Sequence, residues 1–317
     1  MAAAPRIVTV SLNAAIDQTA SVPNFTAGAV NRVVWEQSDA GGKGVNVASF
    51  LAGFGHAVAV TGLLGAGNVE LFVRLFDEKN LADRFVCVPG QTRVNVKIVD
   101  DVSNRVTDIN FPGVAVGPDD LAAVTMAIED LIEQDAEWFV LSGSLPSGLP
   151  PSSYRDLIRL LKSRGRKVVL DTSGAAFVDA IDTGPDVIKP NIDELTELVG
   201  RPLEGERAVV DAARDLRRRG IDLVVVSMGA KGAIFVDGAQ AVHAAPPPVA
   251  VKSTVGAGDA MVAGIVDACL RNLALEDCAR LATAFSVGAL GEIGPRLPAR
   301  AVIEDICGQV ATKRIEE

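Results

Sequence analysis

The sequence is most informative at 253-STVGAGDAMVAG-264, where a glycine turn runs directly into a helical pattern of small residues. At such a helix start the free amides of Ala257, Gly258 and Asp259 point outward and attract anions. Gly256 and Gly258 have no side chain, so a phosphate can approach the backbone, and the carboxylate of Asp259 can take a proton from a hydroxyl. The stretch therefore predicts a phosphate site with a catalytic base, although an isolated aspartate here is also typical of a helix N-cap.

A second glycine cluster, 40-AGGKGVNVA-48, also opens a helical pattern and adds one cation, Lys43, and one amide side chain. It is not a Walker A loop, because no glycine precedes Gly42 by five positions and Gly44 stands where serine or threonine is required. The alternative interpretation is a tight strand-to-helix turn with a solvated lysine. The glycine spacing of 62-GLLGAG-67 also differs from the dinucleotide fingerprint, which disfavours a Rossmann dehydrogenase.

Short runs rich in Val and Ile alternate along the chain with longer amphipathic patterns. The runs predict buried strands at 6–12, 58–61, 138–142, 167–171, 187–189, 223–227 and 233–236, and the amphipathic patterns predict helices at 45–54, 121–134, 154–164, 192–199 and 208–219. This alternation predicts an α/β fold with a mostly parallel central sheet and helices on both faces. The segments 189-KPNIDE-194 and 227-SMGAKG-232 each end a predicted strand, at the edge where open α/β sheets bind ligands.

Two stretches, 18–36 and 85–111, interrupt this alternation because they are β-rich without a helix. We expect them to form a small sheet that projects from the main domain and serves as a lid. Its strands are predicted to come from about 14–36 and 86–112.

One lid segment, 92-TRVNVKI-98, alternates strictly between polar and apolar residues. The alternation places Arg93, Asn95 and Lys97 on one face of the strand. That face predicts contact with a polar ligand, and a solvated outer face of the sheet is the alternative.

The composition excludes several classes of function. A formal net charge of −10 over 317 residues does not suit nucleic acid as a general partner, because phosphate backbones require a basic surface. No apolar run approaches the length of a membrane helix and the first residues do not resemble a leader, so we expect a soluble cytoplasmic protein with one domain, residues 1–317. Four scattered cysteines and only two histidines disfavour a zinc site, a disulfide framework and a Ser/His/Asp triad.

Taken together, these segments resemble the PfkB group of ribokinase-like carbohydrate kinases, and the resemblance spans essentially the whole chain from 13-NAAID-17 onward. The stretches 41-GGKGVN-46 and 254-TVGAGD-259 match the two signature regions of the group in the same order. The resemblance implies a three-layer ribokinase-like sandwich with a small β-sheet lid and an ATP-dependent sugar kinase. The segments 91-QTRVNVK-97 and 106-VTDINF-111 resemble the lid strands of 1-phosphofructokinases more closely than those of tagatose-6-phosphate kinases or minor 6-phosphofructokinases.

The resemblance also implies roles for individual residues. Asp259 would deprotonate the acceptor hydroxyl, while the amides of Gly256, Ala257 and Gly258 would stabilise charge on the transferred phosphoryl group. We assign to the phosphosugar Asp17, Gly41, Gly42, Lys43, Asn46, Arg93, Asn95, Lys97 and Ser142, and among them Lys43, Arg93 and Lys97 would meet the phosphate already present. We assign to ATP the residues Lys189, Asn191, Glu194, Ser227, Gly229, Gly232 and Gly258. Glu194 would act on the Mg²⁺ that ATP carries, so no dedicated protein metal site is expected.

The activity that this resemblance favours is phosphorylation of fructose 1-phosphate at its 6-hydroxyl. Tagatose-6-phosphate kinase and 6-phosphofructokinase are alternatives, and a ribokinase or nucleoside kinase is disfavoured because Arg93 and Lys97 would lack a phosphate partner. From another class, a non-catalytic sensor of sugar phosphate and nucleotide would have no need for Asp259 as a base. The lid carries apolar positions such as Val94 and Val96 that a small sheet cannot cover alone, so we expect a homodimer through the lid strands.

Overall fold

The computed structural model describes residues 5–103, 105–238 and 240–316, and the start of the chain at residues 1–4, which gave no leader signal, lies outside them. In chain order the strands are β1 (Ile7–Ser11), β2 (Ala15–Ser21), β3 (Trp35–Gly41), β4 (Val58–Gly65), β5 (Ala82–Val88), β6 (Arg93–Asp100), β7 (Arg105–Ile109), β8 (Trp138–Ser142), β9 (Lys167–Asp171), β10 (Val187–Ile188), β11 (Leu223–Ser227), β12 (Ala233–Asp237), β13 (Gln240–Ala245) and β14 (Ala311–Arg314). The helices are α1 (Lys43–Gly53), α2 (Glu70–Lys79), α3 (Pro118–Glu133), α4 (Ser153–Ser163), α5 (Gly174–Ala180), α6 (Ile192–Val199), α7 (Gly205–Arg217), α8 (Ala257–Leu270), α9 (Leu275–Leu290) and α10 (Arg300–Gln309).

The large sheet has ten strands in the order β14-β13-β12-β11-β10-β9-β8-β1-β4-β5. The strands from β11 to β5 are parallel, whereas β12, β13 and β14 extend the sheet as an antiparallel edge. Parallel strands need crossover helices that cover both faces, and the central strands are accordingly buried, largely apolar runs such as IVTVS in β1 and WFVLS in β8. The predicted mostly parallel α/β sheet with helices on both faces is confirmed.

Successive residues of each central strand face opposite layers of helices. In β1, Ile7 belongs to the apolar cluster of α1, α8 and α9, whereas Val8 and Val10 belong to the cluster of α3, α4 and α7. Burial of each such side chain contributes about 1.5–3 kcal/mol to the fold. The sheet is therefore held from both sides, and its strand ends carry the loops of the predicted site.

The small sheet has the strand order β3-β2-β6-β7. β2 pairs in parallel with β6, so that Asp17 lies opposite Asn95. β6 pairs with β7 in the antiparallel sense, so that Lys97 lies opposite Asp108. Because residues two apart in a strand share a face, Arg93, Asn95 and Lys97 point to the same side, as their alternation predicts.

Two predicted boundaries of the lid are wrong, namely the end of its first segment at residue 36 and the start of its second segment at residue 86. β5 pairs in parallel with β4 and belongs to the large sheet, because the unpredicted helix α2 returns the chain to β4 as a crossover, so residues 86–88 are not lid strands. β3 continues to Gly41, beyond the predicted limit at residue 36. The expectation that the chain by itself leaves Val94 and Val96 uncovered is also wrong, because both are half-buried and Val94 packs against the core.

The predicted helices correspond to α1, α3, α4, α6 and α7, with ends shifted by a turn or less, and α8 follows the glycine turn as expected. The sequence analysis did not identify α2, α5, α9, α10, β13 or β14. Among the helices of the described ranges, none has the length and apolar character needed to cross a membrane.

Candidate active site

The predicted glycine turn starts α8, and Gly256 rather than Asp259 is the N-cap residue. Gly256 has a φ of 75°, and a Cβ there would lie 3.3 Å from Phe50, so backbone angle and packing both favour glycine. The amides that follow have no helical carbonyl before them. Nζ of Lys189 lies 3.6 Å from the position that a Cβ of Gly258 would occupy. A cation and a helix N-terminus therefore meet at one place, which suits a phosphate.

Asp259 lies in the first turn of α8 with 7 % of its surface exposed. Its Oδ2 accepts a hydrogen bond of 2.7 Å from Nδ2 of Asn46 in α1. Burial raises the pKa of Asp259 to about 6, and the Asp171 carboxylate adds to the rise, while Lys43, Asn46 and Lys189 oppose it. A carboxyl group with this pKa is ionised at neutral pH and still basic enough to accept a proton, as a general base requires.

The second glycine cluster starts α1 and packs against the carboxylate of Asp17. Gly42 is the N-cap residue with a φ of 100°, and a Cβ there would come within 2.9 Å of Cα of Ala14. A Cβ at Gly41 would lie 2.5 Å from Oδ2 of Asp17. Glycine at position 41 therefore lets Asp17 approach the start of α1, and glycine at position 42 lets the backbone at Ala14 do the same.

A buried carboxylate that the sequence analysis missed joins the two cations of the site. Asp171 ends β9, and its side chain is 2 % exposed. Its oxygens lie 3.3 Å from Nζ of Lys43 and 3.3 Å from Nζ of Lys189. Burial opposes ionisation of Asp171, but the two ammonium groups outweigh it and hold its pKa below the usual range. The charge of Asp171 raises the pKa of Lys43, so this pair is ionised at neutral pH.

Ser142, predicted for the sugar, ends β8 directly opposite Asp171 in the register of the sheet. Its Oγ is buried and has no hydrogen-bond partner among the described residues. An acidic residue at the carboxyl end of a buried strand, next to predicted ligand loops, is the signal that would have identified Asp171 from the sequence.

The polar face of the lid surrounds Asp17. Nδ2 of Asn95 donates to Oδ1 of Asp17 at 3.1 Å. Burial raises the pKa of Asp17, and the hydrogen bond from Asn95 and the charges of Lys97 and Arg93 oppose this rise. Arg93 donates to the backbone carbonyls of residues 13, 14 and 111 at 2.9, 3.3 and 3.2 Å, and Lys97 pairs with Asp108. The lid cations are thus close to Asp17 and hydrogen-bonded within the chain.

The residues predicted for ATP lie on two loops that contact each other. Asn191 caps α6, and its side chain accepts from the backbone amide of Glu194 while the Glu194 carboxylate accepts from the amide of Asn191, both at 2.8 Å. Ser227 forms an isolated β-bridge with Asn191 and so joins the loop after β11 to the loop after β10. A Cβ at Gly232 would lie 2.0 Å from the carbonyl oxygen of Ala244, so glycine is required there.

The predicted residues form three groups. The first group lies at the starts of α1 and α8 and at the carboxyl ends of β8 and β10, and it contains Lys43, Asn46, Ser142, Lys189, Gly256, Ala257, Gly258 and Asp259. The second contains the lid-side residues Asp17, Gly41, Gly42, Arg93, Asn95 and Lys97, and the third contains the loop residues Asn191, Glu194, Ser227, Gly229 and Gly232.

Comparison with known proteins places this arrangement in a family. Residues 5–301 match the model described as pfkB family carbohydrate kinase. The chain is 57 % identical over 293 residues to the 1-phosphofructokinase of Rhodobacter capsulatus, covering 92 % of this chain and 93 % of that one. It is 46 % identical over 285 residues to the 1-phosphofructokinase of Xanthomonas campestris pv. campestris, covering 88 % and 89 %.

Solved structures show the same similarity in three dimensions. Phosphofructokinase-2 from Escherichia coli, in complex with substrates and products, superimposes with a TM-score of 0.90 at 29 % identity, covering 96 % of this chain and 99 % of that chain. The tetrameric inhibited form of the same enzyme gives a TM-score of 0.87 at 28 % identity, with 96 % and 99 % covered. This chain belongs to the pfkB family of carbohydrate kinases and is a phosphotransferase that uses ATP.

Proposed function

We propose that this chain transfers the γ-phosphate of ATP to the 6-hydroxyl of fructose 1-phosphate, giving fructose 1,6-bisphosphate and ADP. The observation that carries the proposal is the buried carboxylate of Asp259, which is hydrogen-bonded to Asn46 at the start of α8 and influenced by the charges of Lys43 and Lys189. The identity of 57 % to a 1-phosphofructokinase supports the choice of acceptor.

In the proposed step, Asp259 removes the proton of the 6-hydroxyl as its oxygen attacks the γ-phosphorus of ATP. The new oxygen–phosphorus bond forms while the bond between the γ-phosphorus and the bridging oxygen breaks, and ADP leaves with that electron pair. The backbone amides of Gly256, Ala257 and Gly258, together with the ammonium of Lys189, stabilise the charge on the transferred group.

We assign Lys43 to the reacting end of the sugar rather than to the phosphate that the sugar already carries. Lys43 contacts Asp171, and its charge lowers the pKa of Asp259, so it lies near the hydroxyl that reacts. Asp171 then serves to hold Lys43 and Lys189 in place between sugar and nucleotide. A cation pair with one shared buried carboxylate keeps a fixed geometry when ATP brings its negative charge.

The existing phosphate of the substrate is assigned to the lid cations. A phosphate is a stronger acceptor than a backbone carbonyl, so Arg93 can exchange its internal partners for it. Lys97 can likewise leave its ion pair with Asp108 and bind the phosphate. Hydroxyls of the sugar are assigned to Asp17, Gly41, Gly42, Asn46, Asn95 and Ser142.

Magnesium reaches the site with ATP, and the residues present fit such a complex. Glu194 acts electrostatically on Lys43, so its carboxylate lies near this part of the site, and carboxylate oxygens are preferred Mg²⁺ ligands. Glu194 would hold the hydrated ion, and the ion would neutralise charge on the phosphates.

We also propose a homodimer through the lid, on a different surface from the one first expected. Exposed large apolar side chains lie at both edges of the lid, with Val33, Val34 and Trp35 at the start of β3, and Val106, Ile109 and Phe111 on or just after β7. A second copy would cover them, and a tetrameric form exists for the Escherichia coli phosphofructokinase-2. Sedimentation at micromolar concentration tests this, and a monomer would contradict it.

We take the chain as one kinase domain with a lid and place it in the cytoplasm, where ATP is available.

The acceptor is tested by initial rates with ATP and a panel of fructose 1-phosphate, fructose 6-phosphate, tagatose 6-phosphate and ribose. We expect kcat/KM for fructose 1-phosphate to exceed the others by at least about tenfold, the scale of one charged contact. A preference for either 6-phosphate would reject the proposed acceptor. Binding without turnover of any phosphosugar would favour the sensor alternative.

A further inference from the structure

His243 joins the turn that carries predicted nucleotide residues to helix α7. Its Nε2 lies 2.7 Å from the carbonyl oxygen of Lys231, the last residue of the 3₁₀ turn Gly229–Lys231. Its Nδ1 lies 3.0 Å from Oε1 of Glu206 in the first turn of α7. Only 17 % of the imidazole is exposed, so these two contacts dominate its surroundings.

Both partners of the ring are acceptors, because a carbonyl and a carboxylate carry no proton to donate. A neutral imidazole has one N–H, so each tautomer would leave a nitrogen lone pair facing an oxygen at about 3 Å. The imidazolium form donates from both nitrogens and satisfies both contacts. The other charged side chain on this side is Lys313 of β14, which lies opposite His243 in register and pairs with Glu206 at 3.2 Å.

The contact at Lys231 adds a side-chain anchor to a turn that is otherwise held by its own backbone, in which Lys231 donates to the carbonyl of Met228 at 3.2 Å and Gly232 donates to that of Gly229 at 3.0 Å. Met228 donates its amide to the carbonyl of Gly232 at 2.8 Å, which closes the turn on itself. Gly232 packs so closely on β13 that no side chain fits. Within the turn, a Cβ at Gly229 would meet nothing within 4 Å, so this part faces open space. His243 therefore holds the closed end of the turn while the Gly229 end stays open to a ligand.

We propose that His243 is a positioning residue for the nucleotide turn, and that its protonated form holds the turn in the shape that binds ATP. This inference rests on the proposed function, in which Ser227, Gly229 and Gly232 contact ATP. Loss of one ring proton leaves a single N–H for the two acceptors, so nucleotide affinity falls as pH rises.

The test is the dissociation constant of the Mg²⁺ complex of AMPPNP, a non-hydrolysable ATP analogue, by calorimetry at pH 6.5, 7.5 and 8.5. We expect the constant of the wild type to rise about two- to fivefold more over this range than that of His243→Gln, the scale of one ordinary intramolecular hydrogen bond. Glu206→Gln should also flatten the dependence, because an amide can donate to a neutral Nδ1. His56→Gln is the matched control, because His56 is the one other histidine and also pairs with a carboxylate, that of Asp267 at 2.8 Å, away from the turn.

The possible results separate this inference from the proposed function. Equal pH dependence in wild type and His243→Gln, or loss of the dependence in His56→Gln, would overturn the inference while leaving the kinase intact. Fructose 1-phosphate dissociation constants, measured in parallel, should show the same pH dependence in all variants. Failure of the wild type to bind AMPPNP at any pH would overturn the nucleotide site itself, and the inference with it.

Discussion

Nδ2 of Asn46 donates a hydrogen bond of 2.7 Å to Oδ2 of Asp259, and this contact joins α1 to α8 at the bottom of the candidate active site. Both side chains are more than nine-tenths buried, and Oδ1 of Asn46 has no hydrogen-bond partner among the described residues. The amide therefore fixes one oxygen of Asp259, and in the proposed function its own carbonyl oxygen accepts from a hydroxyl of the sugar. The two glycine stretches of the sequence thus meet in one contact.

The first prediction is a loss of activity in acid. Asp259 has a pKa of about 6, and only its ionised form can take a proton from the sugar. We therefore expect kcat/KM for the phosphosugar to be constant above neutral pH and to fall with decreasing pH through about 6. The pH profile of initial rates measures this, and a profile that is flat down to pH 5 would contradict Asp259 as the base.

The control for this assignment is Asn46→Ala. The hydrogen bond from Asn46 lowers the pKa of Asp259, so its removal should raise that pKa and move the acid limb upward by about half to one pH unit. The KM for the sugar should rise as well, because Oδ1 of Asn46 is lost. An unshifted limb would show that the acid limb belongs to another group.

The second prediction separates stability from phosphate binding at Gly258. This residue lies in a helix, and a Cβ there would contact only Nζ of Lys189 at 3.6 Å, so Gly258→Ala should fold and be more stable by about 0.5–1 kcal/mol. The added methyl group would occupy the place of the phosphate, so kcat/KM for ATP should fall by at least about tenfold. Gly308→Ala in α10, where a Cβ meets nothing within 4 Å, is the matched control and should be stabilised with unchanged rates.

The third prediction concerns Asp171, which holds Lys43 and Lys189. Asp171→Asn would leave two ammonium groups without their shared carboxylate, so we expect a loss of about 3–5 kcal/mol in stability and a higher KM for both substrates. The control is Asp186→Asn. Asp186 is also buried and pairs with two lysines, Lys162 at 2.9 Å and Lys167 at 2.7 Å, but at the amino end of the strands.

Asp186→Asn should therefore lose comparable stability with little change in either KM. Chemical denaturation measures the free energy of unfolding, and steady-state kinetics measures the constants. If both variants change KM alike, Asp171 has no special role in the site.

The fourth prediction concerns Arg93. Arg93→Ala should raise the KM for the phosphosugar and leave the KM for ATP nearly unchanged, because the guanidinium lies on the lid beside Asp17. Some destabilisation should accompany this, since the guanidinium also donates to three backbone carbonyls. A normal KM for the phosphosugar would remove Arg93 from the phosphate site.

Sequence reasoning identified the parts of this protein that depend on local pattern. The helix after Gly256 and the polar face of β6 follow from spacing alone, and both are present. Pairing between distant segments was harder, because β5 and the lid strands β6 and β7 are consecutive β-rich segments whose partners come from distant parts of the chain. The polar edge strand β14, ATKR, has no apolar period to reveal it.

Asp171 shows the same limit within the site. Its position at the end of a predicted strand is the one local signal, and its role depends on two lysines, Lys43 and Lys189, that come from other segments of the chain. The capping box of Asn191 and Glu194, by contrast, is a local pattern and is readable from the sequence.

The fifth prediction concerns Asp259 and stability. Its raised pKa means that the folded protein favours the protonated form, so the stabilisation is complete below the ordinary pKa and is lost as pH rises through about 6. At neutral pH the buried carboxylate then costs about 2–3 kcal/mol. Asp259→Asn should therefore have a higher Tm than the wild type at pH 7.5 and an equal or lower one at pH 4.5.

The most direct measurement is turnover of Asp259→Asn with ATP and fructose 1-phosphate, together with the dissociation constant of the sugar from the same variant. We predict that kcat falls by at least about a hundredfold, the scale of losing a general base, while the sugar binds within about threefold of the wild type. A kcat within tenfold of the wild type would contradict the account.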